Sequence, residues 1–250
     1  MSESMKHCCS KNNTADNEQL RKTHVNQAMI VTKEDWNKAH QAFLKKEKEH
    51  TRERDKLNAE RRHLPMVEIT KNYTFNGLKE QYSLLDLFAG KKQLIVYHFM
   101  FDPSWVEGCD GCSMMVDNIG HQAHLRARDT TLVLISRAPM EKIHPFKKRM
   151  EWTLPWYSSF NSDFNYDFGA TTKQGEETHA YSVFLQDNNK VYHTYSTGAR
   201  GVEYLGSNWS YLDITPMGRQ EDWENSPTWV RKTPRYEWWK HHDKYTDSLS

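Results

Sequence analysis

Apolar and polar stretches alternate along the middle of the chain in a pattern that predicts strands separated by helices. Residues 93–99 and 131–136 are apolar and rich in β-branched side chains, which is typical of interior strands. Between them, residues 113–119 carry apolar side chains at helical spacing, and we expect this helix to reach Arg128. The pattern therefore predicts a βαβ unit with a right-handed crossover and two parallel strands.

Shorter elements are predicted on either side of this unit. They are strands at 67–69 and 73–75, a short helix at 83–88, a helix at 140–150 and a hairpin of strands 181–185 and 190–195. The last fifty residues are dense in tryptophan and in turn-forming residues. We interpret them as a segment that covers the domain, not as a second domain.

A charged segment precedes these elements. Thr32 is a suitable N-cap, and the helix should end before Pro65, because the residue preceding a proline avoids the α region. Residues 45–56 are polar on every side, which favours a solvated helix. The whole predicted helix, from Thr32 to the residue before Pro65, would be about 45 Å long. The predicted arm spans residues 31–64, and a homodimer contact is its alternative role. Residues 1–30 are polar and aperiodic, so we predict a disordered tail.

The composition excludes several classes of function. The 250 residues carry a net charge of +1, so we expect neither a nucleic-acid partner nor a membrane partner. No apolar stretch is long enough to span a bilayer, and the N-terminus lacks the apolar core of a secretory signal. Four cysteines are too few for a disulfide scaffold. We therefore predict a cytoplasmic protein, in which a C-x-x-C motif indicates redox chemistry or metal binding.

That motif is Cys109-Asp110-Gly111-Cys112, placed between the strand at 93–99 and the following helix. Unpaired N–H groups and the dipole at a helix N-terminus favour an anion, so they lower the pKa of a thiol there. Cys109 comes first and is the predicted nucleophile. Cys112, one helical turn further on, is predicted to resolve the mixed disulfide.

Several neighbours in the sequence bear on this chemistry. The carboxylate of Asp110 disfavours a thiolate, and Lys91, Lys92 and Arg137 are the cations that could offset it. Arg137 follows the second parallel strand, and the carboxyl ends of such strands line the site. We therefore predict that Trp105 and Arg137 lie beside the dithiol. His98, within the first strand, is interpreted as a buried core histidine.

Metal binding is the main alternative. It would use Cys109 and Cys112 with His121 and His124, or with Cys8 and Cys9. The spacing C-x2-C-x8-H-x2-H does not match zinc fingers, although paired thiolates suit Cu(I) and leave a copper-carrier role open. Met114 and Met115 are better explained as core residues. A non-catalytic interaction protein is the remaining alternative. We predict neither a resident metal ion nor a cofactor.

The order of elements resembles the thioredoxin-like fold, in particular its peroxiredoxin and AhpC/TSA branch. Residues 31–245 resemble a narrower group, the thioredoxin-like family called domain of unknown function 899. The matching segments are Trp36, Glu47-Lys48, Arg61-Arg62, Leu64-Pro65, residues 93–100, Gly108-Cys109, Cys112-Ser113, residues 136–139, Arg149-Met150, Trp152, Trp156, residues 158–160 and residues 193–196.

The resemblance implies an α/β three-layer sandwich with an N-terminal helical arm and an aromatic-rich C-terminal extension. It places the thioredoxin-like domain at 65–200 and the covering segment at 201–250. It further implies a dithiol–disulfide oxidoreductase. We predict that its substrate is a peroxide or a disulfide, small or protein-borne, and that a thiol reductant is its partner. One feature departs from thioredoxins: residues 177–180, before the strand at 181–185, contain no proline, whereas thioredoxins carry a cis-proline there.

Overall fold

The structure is a computed structural model, and it describes residues 24–25 and 28–245. The predicted tail therefore lies mostly outside the described residues, as do Cys8 and Cys9. The chain divides into two compact units. One contains the described residues up to Glu60 together with Asn225–Arg231, and the other contains Arg61–Glu224 and the described residues from Lys232 onward. The domain boundaries expected from the sequence stay a prediction.

In the first unit, strands β1 (His24–Val25) and β2 (Ala28–Met29) pair antiparallel. Helix α1 begins at Lys33 and ends at Arg61, and all of it except Arg61 belongs to this unit. The Thr32 hydroxyl accepts a hydrogen bond from the Asp35 backbone N–H at 3.1 Å, which confirms the predicted N-cap. All of α1 is described and none of its residues is buried, as expected for a helix with charged side chains on every face.

The second unit is built on an eight-stranded sheet with the order β3-β10-β9-β6-β7-β8-β4-β5. The strands are β3 (Val67–Ile69), β4 (Thr74–Asn76), β5 (Gln81–Ser83), β6 (Gln93–His98), β7 (Thr130–Ser136), β8 (Trp156–Ser158), β9 (Ala180–Asp187) and β10 (Lys190–Gly198). Strands β6 and β7 are parallel, and β9 pairs antiparallel with both β6 and β10. This arrangement confirms the predicted βαβ unit and the thioredoxin-like fold.

The remaining elements are short. They are α2 (Asp110–Asp117), α3 (Ala123–Arg126), α4 (Met140–Arg149), α5 (Phe164–Asp167), α6 (Ser207–Asp213) and 3-10 turns at Asp86–Phe88, Ala199–Leu205 and His242–Lys244. The helix predicted at 83–88 is only a 3-10 turn at Asp86–Phe88. Ser83 belongs to β5 instead, and its backbone N–H and hydroxyl donate hydrogen bonds to the Asp86 carboxylate. In the described part of the chain, no helix is both long and apolar enough to cross a membrane.

The prediction of a single helix between β6 and β7 was also wrong. Two helices are present, because α2 ends at Asp117 and α3 begins at Ala123. The Asn118 side chain accounts for the break. Its amide donates to the Met114 carbonyl at 2.6 Å, and its oxygen accepts from Ser207 and Asn208, both at 2.7 Å. Asn118 thus closes α2 and connects its end to the start of α6.

The predicted hairpin turn is present. Asn188 and Asn189 join β9 to β10, and both have positive φ values, of 50° and 62°. Two successive residues in this region define the turn type that matches the twist of an antiparallel pair, and asparagine tolerates it well. The hairpin is longer than its apolar pattern indicated.

Strand β6 divides the core into two layers because its side chains alternate between the faces of the sheet. Leu94 and Val96 belong to one apolar cluster, whereas Tyr97 and the following Phe99 belong to the other. The second cluster also contains Cys112, so the layer that covers this face of the sheet carries the dithiol.

Candidate functional site

Both cysteines lie where the loop after β6 enters α2. Cys109 is the N-cap residue of α2, and its backbone N–H donates to the Met100 carbonyl at 3.1 Å. The Ser113 hydroxyl donates to the Cys109 carbonyl at 2.8 Å, which fixes the first turn. The helix therefore presents its unpaired N–H groups at Cys109, as the motif predicted.

The two thiols lie in different environments, and both are free. Cys109 is partly exposed and Cys112 is buried, with 2% of its surface accessible. The Cys112 backbone N–H points to the Cys109 sulfur at 3.4 Å. Hydrogen bonding from the Cys112 side chain lowers the pKa of the Cys109 thiol, and the Cys112 and Gly111 N–H groups act in the same direction. Burial and the Asp110 charge oppose this shift.

Burial raises the pKa of Cys112 well above its usual value, and the neighbouring Cys109 reinforces this shift. A hydrogen bond from the Tyr97 hydroxyl opposes it, and Tyr97 is itself buried and stacked on Tyr181 with ring centroids 4.5 Å apart. The pair thus combines one thiol whose pKa is lowered with one whose pKa is raised. This asymmetry agrees with Cys109 as nucleophile and Cys112 as resolving cysteine, roles that stay predictions.

A small cavity of about 40 Å³ adjoins the dithiol. Its wall on the side of the sheet and α2 includes Tyr97, Cys109, Gly111, Cys112 and Met115. The opposite wall comes from later parts of the chain: His179, Ala199, Val202, Glu203, Trp209, Tyr236 and Trp239. A water molecule needs roughly 10–15 Å³ of such space, so the cavity is suited to a group of a few atoms.

Trp239 packs directly on the first turn of α2. A Cβ atom at Gly111 would lie 2.3 Å from Cζ3 and 2.4 Å from Cε3 of the Trp239 ring, so only glycine permits this approach. Trp209 meets Trp239 edge to face, with centroids 5.6 Å apart. The indole N–H groups of Trp209 and Trp239 are buried and have no hydrogen-bond partner among the described residues.

His241 joins the C-terminal segment to the residues that flank Cys109. Its Nε2 lies 2.8 Å from the Gly108 carbonyl oxygen and 2.9 Å from Oδ1 of Asp110. Its Nδ1 lies 2.9 Å from the Arg149 guanidinium. A guanidinium can only donate hydrogen bonds, so Nδ1 of His241 accepts from Arg149. The ring hydrogen is then on Nε2, which faces Gly108 and Asp110.

The polar wall of the cavity contains a buried carboxylate. Glu203 accepts hydrogen bonds from Arg219 at 2.6 Å and from the Tyr236 hydroxyl at 2.7 Å. Burial by itself raises the pKa of Glu203, but the hydrogen bonds from Arg219 and Tyr236 outweigh it and lower the pKa. Glu203 is therefore an ionised, fully paired group that fixes the position of Tyr236.

His179 lies just before β9, where thioredoxins carry their cis-proline. It lines the cavity with the cysteines, and burial lowers its pKa. The described residues contain no cis peptide bond. A neutral imidazole, rather than a proline ring, therefore faces the dithiol at this point of the fold.

Arg137 and Trp105, predicted beside the dithiol, are not among the described residues that line the cavity. Arg137 contacts Glu177 at 2.7 Å and Asp102 at 3.3 Å, so two carboxylates hold its guanidinium. Trp105 packs on the apolar cluster that contains Cys112. Lys91 and Lys92 precede β6, at the opposite end of the strand from the loop that leads to Cys109. The roles of Arg137 and Trp105 stay predictions.

His98 is fully buried, and burial lowers its pKa to about 3, so it is neutral. Its Nε2 lies 2.9 Å from the Ser182 hydroxyl, whereas its Nδ1 has no partner among the described residues. This environment agrees with the interpretation of His98 as a core histidine.

The residues considered for metal binding do not come together in the described part of the chain, which holds no group of three or more His, Cys, Asp or Glu side chains arranged for an ion. His121 and His124 lie beside each other after α2, with ring centroids 6.3 Å apart. Met114 and Met115 are buried in the core, as interpreted from the sequence.

Sequence reasoning missed most of the cavity wall. The missed wall residues include Tyr97, His179, Val202, Glu203, Trp209, Tyr236 and Trp239. His241, which does not line the cavity but contacts the residues on either side of Cys109, was missed as well. The density of tryptophan after residue 200 indicated a covering role but not its place. Gly111, the glycine between the two cysteines, was the one local sign that another side chain approaches closely there.

A family model matches most of the chain. The chain belongs to the family described as "Bacterial protein of unknown function (DUF899)", whose model matches residues 25–245. This confirms the resemblance found in the sequence. No curated protein matches the sequence.

Solved structures resemble part of the chain at low identity. Peroxidoxin BcpB from Mycobacterium tuberculosis is 16% identical, with a TM-score of 0.42 over 57% of this chain and 95% of that one. A variant of Xylella fastidiosa PrxQ is 10% identical, with a TM-score of 0.41 over 60% and 97%. AhpC from Enterococcus faecalis is 14% identical, with a TM-score of 0.39 over 60% and 92%. The assignment of the fold rests on the strand order described above.

Proposed function

We propose that the protein is a thiol–disulfide oxidoreductase in which Cys109 attacks a hydroperoxide or a small disulfide and Cys112 resolves the product. The observation that carries this proposal is the contrast between two neighbouring thiols at one cavity. Cys109 has a lowered pKa and is partly exposed, whereas burial raises the pKa of Cys112. A thiolate is the attacking species in both reactions, so only one cysteine of the pair is prepared to attack.

With a hydroperoxide ROOH, the Cys109 thiolate attacks the terminal oxygen. The S–O bond forms as the O–O bond breaks, and the departing alkoxide takes up a proton and leaves as ROH. Cys109 is then a sulfenic acid. The Cys112 sulfur attacks the Cys109 sulfur, an S–S bond forms, and the hydroxyl leaves with the Cys112 proton as water. The dithiol has lost two electrons and two protons, and the peroxide has gained them.

With a small disulfide RSSR, the Cys109 thiolate displaces one RS⁻ and forms a mixed disulfide. Cys112 then attacks Cys109 and releases the second thiol. In either case an external thiol reductant must return the Cys109–Cys112 disulfide to the dithiol. A reducing compartment such as the cytoplasm would supply that reductant, which is why we place the protein there.

The test uses reduced protein in a Cys8→Ser/Cys9→Ser background, so that Cys109 and Cys112 are the only thiols. Hydrogen peroxide is added in small steps, and its loss is measured together with peptide masses from a non-reduced digest. We expect about one peroxide consumed per chain and a Cys109–Cys112 cross-link. Cys109→Ser should abolish consumption, whereas Cys112→Ser should consume peroxide and leave a sulfenic acid that dimedone traps.

Two results would overturn the proposal. One is a protein whose thiols persist after peroxide and after a small disulfide such as cystine. The other is a Cys109→Ser variant that still consumes peroxide at the rate of the parent. A stable 1:1 complex with Cu(I) that needs both cysteines, combined with either result, would establish the metal-carrier alternative instead.

A further inference from the structure

The C-terminal strap, residues 236–245, is fastened to the loop and helix that carry the dithiol. His241 contacts Gly108 and Asp110. Asp243 pairs with Arg149 at 2.9 Å, and His242 lies 3.0 Å from Asp117, near the end of α2. Contacts on both sides of the first turn of α2 hold the strap in one position.

Trp239 is the part of the strap that closes the cavity. Its ring lies against Gly111, between the two cysteines in sequence, and it contacts Trp209 and Tyr236, with centroids 5.6 Å and 4.3 Å away. Trp209 is almost completely buried, and Tyr236 is hydrogen-bonded to Glu203. Trp239 is therefore packed between the helix and two aromatic side chains that are themselves held by their neighbours.

The volume that remains limits what can reach Cys109 from this side. About 40 Å³ holds on the order of three water-sized groups, which is enough for a peroxide group with a small substituent. An oxidant with a ring or a branched chain would overlap Trp239. Close packing makes such overlap costly, because the interior has no spare volume to absorb it.

We propose that Trp239, held in place by His241, is a specificity-determining residue that restricts the oxidant to compact molecules. This inference rests on the proposed redox function and adds the size of the substrate to it. The chemistry is the one given above, with S–O bond formation at Cys109 and cleavage of the O–O bond. Trp239 takes no part in those bonds and acts only by occupying space beside the attacking sulfur.

The test compares two hydroperoxides that react by the same chemistry and differ in size, hydrogen peroxide and cumene hydroperoxide. The full chain in the Cys8→Ser/Cys9→Ser background is oxidised by each, and both rates are divided by the rates of the same oxidants with free dithiothreitol. We expect the parent to favour hydrogen peroxide after this correction. Trp239→Ala should lower that preference by about tenfold or more, with the hydrogen peroxide rate changed by less than about threefold.

Three further variants test whether the Trp239 side chain causes the preference for hydrogen peroxide. Trp239→Phe retains an aromatic ring and should retain most of the preference. Trp223→Ala removes a half-exposed tryptophan that is not among the described residues lining the cavity, and it should match the parent. His241→Ala removes the contacts of the strap with Gly108 and Asp110 without altering the cavity wall, so it should lower the preference in the same direction as Trp239→Ala. It also serves if Trp239→Ala fails to fold, as judged by circular dichroism.

The outcomes separate this inference from the proposed function. If the parent reacts with neither hydroperoxide, the redox assignment itself fails. If the parent reacts with both at equal corrected rates, or if neither Trp239→Ala nor His241→Ala changes the ratio, the redox assignment stands and the role of Trp239 is refuted.

Discussion

Nε2 of His241 lies 2.9 Å from Oδ1 of Asp110, the residue that directly follows Cys109. The same nitrogen lies 2.8 Å from the carbonyl oxygen of Gly108, the residue before Cys109. One imidazole from the end of the chain therefore contacts both neighbours of the candidate nucleophile. Because the Asp110 charge opposes the lowering of the Cys109 pKa, a donor that engages this carboxylate weakens the opposition.

Asp110→Asn should make Cys109 more acidic. The substitution removes a negative charge that raises the pKa of the thiol, so the thiolate should persist to lower pH. The rate of iodoacetamide alkylation at pH 6 should rise by roughly two- to tenfold, and its pH profile should move to lower pH. Asp187→Asn, at the exposed hairpin end, serves as the control and should leave the profile unchanged. A profile that moves to higher pH in Asp110→Asn would contradict this account of the site.

The two cysteines should react with alkylating agents at very different rates. The lowered pKa of Cys109 increases the share of its thiolate at a given pH, whereas burial both raises the pKa of Cys112 and shields its sulfur. At pH 7, peptide mapping after a short exposure to iodoacetamide should find label at Cys109 in at least about tenfold excess over Cys112. Equal labelling of both cysteines would remove the basis for assigning separate roles.

Arg137 is expected to matter more for stability than for the reactivity of the dithiol. Its guanidinium is held by Glu177 and Asp102, so Arg137→Ala leaves the buried Glu177 carboxylate without its cation. At pH 8 we expect a loss of about 2–4 kcal/mol in the free energy of unfolding. The alkylation profile of Cys109 should not move. Urea denaturation measures this loss, and Arg128→Ala, at an exposed arginine, is the control. If the pH profile of Cys109 alkylation shifts and the free energy of unfolding does not change, the result would instead support the predicted position of Arg137 beside the dithiol.

Glu177 should make stability depend on pH. Burial raises its pKa from 4.5 to about 7, despite the opposing effect of Arg137. The unfolded chain therefore releases this proton at lower pH than the folded protein does. The resulting stabilisation is present below about pH 4.5 and is lost as the pH rises to about 7.

Glu177→Gln should remove that decline. Over this interval, the free energy of unfolding of the parent should fall by on the order of 2 kcal/mol relative to the variant. Denaturant titrations of both proteins from pH 4.5 to pH 8 measure the difference. Parallel curves would show that Glu177 titrates alike in the folded and unfolded chain.

The central part of the fold was predictable because its signals are local. The apolar pattern of β6 and β7 reports burial on both faces, and the capping role of Thr32 depends on Asp35, only three residues away. The position of Cys109 at the start of α2 follows from the same pattern. The helix break at Asn118 was not predictable, because its side chain is engaged by Ser207 and Asn208 from a distant part of the chain.

The closed side of the candidate site could not be derived for the same reason. His241 contacts Gly108 across 133 positions of sequence, and no periodicity encodes that pairing. From the sequence, Trp209 and Trp239 could be assigned only to a segment that covers the domain. The packing of Trp239 on Gly111 is seen only in the structure. Arg137 was expected beside the dithiol from its place at the end of β7. Its observed partners are Asp102 and Glu177, and pairing with carboxylates far apart in sequence leaves no local trace.

The reduction potential of the Cys109–Cys112 pair tests the central claim most directly. The Cys8→Ser/Cys9→Ser protein is equilibrated in a series of dithiothreitol and glutathione redox buffers, the thiols are trapped by alkylation, and the masses are read. We predict one two-electron transition between about −120 and −270 mV, the range of thioredoxin-like dithiols. A pair that remains reduced in the most oxidising buffer, with both cysteines alkylated, would contradict a redox role for this site.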